Sequence, residues 1–195
     1  MIFSNNTARP DSFKEDATLF IEQMVSQAAS ELTKKNISRN RRVESFKAYF
    51  NNHFAVEGIG KWILGRYWQK ASEKEQDEYL ALFEQMMVFL LVDKFSSYTG
   101  EPLHIKRSVI QDDNNVTIFS YLQQKNEKPA IRVDWRVARS SEVMKVVDVI
   151  IEGTSISNTL RSDFSSTIRS QGYSISGLLE VLREKNSKLR QQPTN

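Results

Sequence analysis

The hydrophobic period of this chain changes at Gly100, and that change limits what the chain can fold into. Before Gly100, apolar residues recur at helical spacing. After it they alternate, as strands with one buried face require. Layers of two geometries must therefore share a core, which defines an α+β domain.

The helical part centres on Lys61 to Thr99. It opens KWILGRYWQKAS and continues EKEQDEYLALFEQMMVFLLVDKFSSYT. Tyr79, Leu82, Phe83, Met86, Met87, Leu90, Leu91 and Phe95 follow the i, i+3, i+4 spacing of one broad apolar face. Ser72 and Glu75 form a capping box, and Gly100 and Pro102 stop the helix. The spacing predicts a helix over 73–99 lying above a concave sheet.

Residues 1–10 are polar, end in Pro10 and are expected to form a disordered tail. Asp11 or Ser12 then caps a helix to about Lys35, with Phe13, Ala17, Phe20, Ile21, Met24, Val25, Ala28 and Leu32 on one face. Asn36 or Ser38 starts RNRRVESFKAYFNNHF, whose stripe is Val43, Phe46, Tyr49 and Phe50. VEGIGKWILGRYWQK predicts a short helix carrying Ile59, Trp62, Ile63 and Tyr67 inward.

Four strands follow. LHIKRSVI and NNVTIFSYLQQ flank an Asp-Asp-Asn-Asn turn. In PAIRVDWRVAR, Ile131, Val133, Trp135 and Val137 alternate with Arg132, Asp134 and Arg136. MKVVDVIIEG is apolar on both faces and ends at Gly153. Short loops favour antiparallel pairing. The predicted fold is thus a curved four-stranded antiparallel sheet covered on one face by helices before and after it. A helix with Ile156, Leu160, Phe164 and Ile168 inward closes at Gly172. The last helix carries Leu178, Leu179 and Leu182 inward, with Leu189 as a further candidate, and the polar end NSKLRQQPTN is expected to fray. One domain spans 11–190, with 191–195 as a second disordered tail.

The 195 residues contain no cysteine, which excludes disulfides and thiol chemistry. The formal charge of +3 is too thin for a nucleic-acid binder, so no nucleic-acid partner is expected. No apolar run approaches the ~18 residues of a membrane span. His53 and His104 have no second ligand at metal spacing. Glu73, Glu75, Asp77 and Glu78 sit in the first turns of a helix, where they complement its dipole. Asp148, within VVDVIIEG, has two readings. It could serve as a base in an apolar cavity, or pair across the sheet with Arg132 or Arg136, and pairing is preferred. The chain shows no nucleophile, phosphate-loop or dinucleotide motif.

Several segments, in order, are similar to one family. LGRYW (64–68), the Ala-Ser step, the long Phe-bearing helix ending YTGE, KVVDVIIEGTSISNTLRSDFSSTIRSQG and GLLEVL together resemble the MlaC, or toluene-tolerance, family. The resemblance covers about residues 11–186. Met144, Thr154, Leu91 and Ser176 depart from the family's usual residues. The resemblance implies an NTF2-like or cystatin-like fold without enzyme activity or cofactor. It implies a soluble periplasmic carrier, its signal peptide removed, with phospholipid as cargo and acyl chains held in an apolar cavity. The implied partners are an inner-membrane ABC transporter with an MCE-domain ring and an outer-membrane lipoprotein–porin complex. A monomer with transient membrane-proximal contact is expected, maintaining outer-membrane lipid asymmetry. A hopanoid-associated branch of the family, or an NTF2-like enzyme using Asp148, is the alternative.

The expected lipid-lining residues are Tyr67, Phe83, Met87, Leu90 and Leu91 from the helices. Phe119, Tyr121, Val133, Trp135, Val147, Val149 and Ile151 join them from the strands, and Thr154, Ile156 and Leu160 from the segment beyond. Lys61, Arg66 and Lys70, and Arg183, Lys185 and Lys188, are candidate basic docking surfaces or plain solvated faces.

Overall fold

The structure, a computed structural model, describes residues 10–32, 37–95, 101–124 and 129–192. Its helices are α1 (Pro10–Leu32), α2 (Arg39–His53), α3 (Val56–Leu64), α4 (Glu73–Phe95), α5 (Ile156–Ser170) and α6 (Ile175–Arg190). A 3-10 helix, Gly65–Lys70, joins α3 to α4. The strands are β1 (Leu103–Asp112), β2 (Asn115–Leu122), β3 (Ile131–Ser140), β4 (Val143–Ile151) and β5 (Thr154–Ser155). They form one antiparallel sheet in sequence order.

The α+β class holds, with five strands in place of four. Glu152 and Gly153 both take positive φ, 49° and 80°, which turns the chain tightly enough for Thr154 and Ser155 to pair with Ile151 and Ile150. Ser155 then caps α5 by accepting from Asn158 N.

Cross-strand register sorts the sheet faces. Val116, Ile118 and Ser120 of β2 oppose Val137, Trp135 and Val133 of β3. Those apolar residues pack with Phe13, Ala17, Ile21 and Met24 of α1 in one buried cluster. The hydroxyls of Thr18 and Ser108 meet at 2.7 Å and fix α1 over β1.

The expected roof is different. α4 packs against α6, α2 and α3, whereas α1 is the helix that packs on β1 and β2. The single apolar face expected of α4 is also too narrow: Val88, Phe89 and Val92 are buried along with Tyr79, Phe83 and Met86. A helix packed between partners on several sides needs apolar residues around much of its circumference.

Three of the chain's glycines fall in α3 and its end, and one explains a close approach. A Cβ on Gly60 would lie 2.9 Å from Leu80 Cδ2 and 3.2 Å from Phe83 Cδ1. The Tyr79 hydroxyl donates to Gly60 O at 3.0 Å across the same contact. Trp62, expected inward, is exposed, while Ile63 and Leu64 are buried. The capping box is formed: Ser72 N donates to Glu75 Oε2 at 2.9 Å and Glu75 N to Ser72 Oγ at 3.4 Å.

The C-terminal end is more ordered than its polarity suggests. α6 continues to Arg190, with Leu189 buried and Asn186 Nδ2 donating to Leu82 O at 2.9 Å. Of the expected tails, residues 1–9 and 193–195 lie outside the described residues, and Pro10 opens α1. The expected helix ends at 33–35 and 96–99 also lie outside them, as do the side chains of Leu32 and Phe95.

Candidate functional site

The buried apolar residues fall into three clusters. One is helical, built from α3 to α6 around Tyr79, Phe83, Met86, Phe164, Ile168 and Leu178. The second is the α1–sheet cluster. The third is small: Ala28, Phe46, Phe50, Val88 and Val92. It joins α1, α2 and α4, and half-buried residues tie it to both large clusters. Tyr49 and Phe54 are shared with the sheet side; Val43, Val56 and Met87 are shared with the helical side. This seam is the candidate site. A ligand entering there would meet apolar side chains of both cores.

The end of α2 builds the seam. His53 stacks on Tyr49 with centroids 4.1 Å apart, and Phe50 contacts Phe54 at 4.7 Å. The Tyr49 hydroxyl donates to Met24 O, linking α2 to α1. Burial pushes the Tyr49 phenol up to about 12. Phe54 forms a bridge with Val146, and Ala55 N donates to Val146 O at 3.0 Å. The chain thus crosses from the sheet edge into the helices at the seam.

The expected lining residues divide among these regions. Met87 and Leu91 border the seam. Tyr67, Phe83, Leu90 and Leu160 belong to the helical cluster. Val133, Trp135 and Val149 face α1, and Ile151 shares their face but is 38% exposed. Phe119 and Tyr121 point to the opposite face. There Arg107 lies 4.3 Å and Arg132 5.6 Å from the Phe119 ring, while Lys106 and His104 cover Tyr121. Val147 is the unpaired residue of a bulge between Asp148 and Val146. Thr154 is exposed in β5, and Ile156 is half-buried at the start of α5. The sequence missed Phe46, Tyr49, Phe50, Phe54 and Val56 as seam residues. The aromatic run AYFNNHF was the available signal.

Asp148 is buried and occupied. It accepts from Ser155 Oγ at 2.7 Å, Ser157 N at 3.1 Å and Arg136 Nη1 at 3.4 Å. It therefore ties β4 to the start of α5 and pairs across the sheet. Arg132 pairs instead with Asp134. These bonds favour the pairing reading over the catalytic one. Among the candidate docking cations, Lys61, Arg183 and Lys188 are held by Glu57, Glu78 and Glu184. Arg183 keeps the Glu78 carboxyl below its ordinary range.

A hollow of about 360 Å³ lies between α1 and the start of β1, lined by Glu22, Val25, Ser26, Ala29, Glu101, Pro102 and Leu103. Its two glutamates and serine make it a polar hollow rather than a dry acyl cavity. Among the described residues no helix is long and apolar enough to cross a membrane, and no group of three His, Asp or Glu could hold a metal ion.

An α1-backed antiparallel meander, joined through an aromatic seam to a helical lobe, defines a class of α+β domain. The model of the MlaC protein family matches residues 20–184, and the chain belongs to that family. A solved structure is similar: a phospholipid-binding protein from Ralstonia solanacearum in complex with a phospholipid. It is 19% identical, with a TM-score of 0.78 over 90% of this chain and 99% of that one. At that identity the likeness concerns the fold.

Proposed function

We propose that this chain is a periplasmic phospholipid carrier, and that acyl chains enter between its two cores at the seam. The observation that carries this is the third cluster, in which half-buried apolar residues are shared between two separately packed cores. Family membership and the phospholipid bound by the Ralstonia protein support the choice of cargo. The carrier exchanges lipid between an outer-membrane lipoprotein–porin complex and an inner-membrane MCE-type ABC transporter, as a monomer. Each buried CH₂ contributes about 0.8 kcal/mol, so two acyl chains can offset the side-chain packing that opens as the seam parts. Met87, Leu91, Val133, Trp135 and Val149 are the lining residues best placed to meet them.

Native mass spectrometry followed by organic extraction tests the cargo. Phospholipid in the extract is expected; hopanoid would move the chain to the other branch of the family. A pure apo mass together with no uptake from labelled vesicles overturns the carrier reading. Leu91→Glu puts a charge in the seam, and the folded variant is expected to lose uptake at least tenfold. Unchanged uptake would remove Leu91, and the seam with it, from the site.

A further inference from the structure

The helical lobe carries a second surface that the carrier reading does not use. Gly65, at φ +55°, ends α3, and a Cβ there would lie 2.8 Å from Arg161 Nη2. The glycine therefore makes room for the Arg161 guanidinium, which donates to Trp62 O and lies 4.6 Å from the Trp62 ring centroid. Trp62 is left 47% exposed on a helix whose neighbouring Ile63 and Leu64 are fully buried. One turn on, Arg66 lies 5.1 Å from the Tyr67 ring and donates to its hydroxyl at 3.2 Å. Arg66 and, more weakly, Arg169 of α5 hold the Tyr67 phenol below its ordinary value. Tyr173 holds φ +63°, a region that disfavours bulky side chains, and is 68% exposed.

Among the described residues none of Arg66, Arg161 and Arg169 forms an ion pair with a carboxylate. Glu57, on α3, is occupied by Lys61, and Asp163 on α5 makes no ion pair with them. Two exposed amphipathic rings thus border three guanidinium groups with spare donors.

We propose that this surface docks the protein on a bilayer carrying anionic lipid. Trp and Tyr rings settle at the headgroup level of a bilayer, and arginine binds lipid phosphate in a bidentate geometry. Each cation near such a surface strengthens binding about fivefold. An acidic protein partner would need a contiguous apolar centre, whereas here the exposed Trp62 ring is bordered by Arg161. The outer sheet face also has cations, Lys106 and Arg107, but they cover the Tyr121 and Phe119 rings, which are only half-exposed. That face supplies the control. Docking needs no cargo, so it can fail while the carrier reading stands.

The test is co-flotation with phosphatidylglycerol–phosphatidylcholine vesicles against pure phosphatidylcholine, with folding checked by circular dichroism. Binding to the anionic vesicles only, falling with salt, is expected. Arg66→Ser with Arg169→Ser should weaken it about 25-fold, at fivefold per cation. Trp62→Ser with Tyr173→Ser should weaken it at least fivefold, and Lys106→Ser with Arg107→Ser should leave it within twofold. No binding to anionic vesicles, equal binding to both compositions, or loss only in the Lys106/Arg107 variant each overturns the proposal.

Discussion

Phe83 and Met87 lie one turn apart on α4 and have different surroundings. Phe83 is 1% exposed among the rings of the helical cluster. Met87 is half-buried and touches two clusters without belonging to the buried centre of either. The helical core joins α3 and α4 to α5 and α6 across the whole length of the sheet in sequence, and is filled by aromatic rings such as Tyr79, Phe83 and Phe164. The seam joins, through α2, two helices that have stronger attachments elsewhere: α1 to the sheet and α4 to α6. One region is built for stability. The other places Met87, an adaptable side chain, between two clusters.

Truncation should expose that contrast most strongly. Phe83→Ala is expected to cost about 3–5 kcal/mol in urea unfolding, because a buried ring leaves a cavity its neighbours cannot fill. Met87→Ala should cost about 1 kcal/mol, since its side chain is only partly buried. Equal losses at the two positions would erase the distinction. Asp148→Ala comes next, at about 2–3 kcal/mol. It strands the buried Ser157 N–H and unties α5 from β4. A loss below about 1 kcal/mol would mean that water replaces the carboxylate.

Alkaline titration probes the seam directly. In the folded protein the Tyr49 phenol is pushed up to about 12, from an ordinary value of 10.0. Between those values the unfolded chain releases the proton and the folded one keeps it. Tyr49 therefore contributes falling stability as pH rises from 10 to 12. Tyr49→Phe should flatten that part of the slope; an unaltered slope would place the hydroxyl in water. The smallest effect is expected far from the seam. Glu75→Gln should cost about 0.5–1 kcal/mol at neutral pH by weakening the capping box. Because Ser72 holds the Glu75 carboxyl below its ordinary range, that contribution is present at neutral pH and lost on acidification through the carboxylate range. A variant that keeps the wild-type pH dependence below neutrality would contradict the box.

Much of the fold was legible because it is local. Ser72 and Glu75 announced the start of α4, and alternation announced β3 with its correct inward face. The two-residue β5 was not legible, since Thr154–Ser155 gains strand character only from pairing with Ile150 and Ile151. The candidate site was legible only in part. Met87 and Leu91 were chosen from helical spacing and do border the seam, whereas Phe119 and Tyr121 were chosen from the same strands and face the other way. Apolar character marks a residue as worth burying and does not say which of two layers buries it.

By itself, the sequence determined the order of helices and strands, the capping box that starts α4, and the inward face of β3. Each depends on residues within a few positions of one another. Tertiary structure decided that α1, not α4, covers the sheet, that Asp148 is a tether, and that Trp62 faces outward. Those outcomes depend on which surfaces meet across long sequence separations: Phe54 against Val146, Arg161 against Trp62, Gly60 against Phe83. No period in the chain encodes such meetings, because they are settled by packing among surfaces that are all apolar enough to be buried.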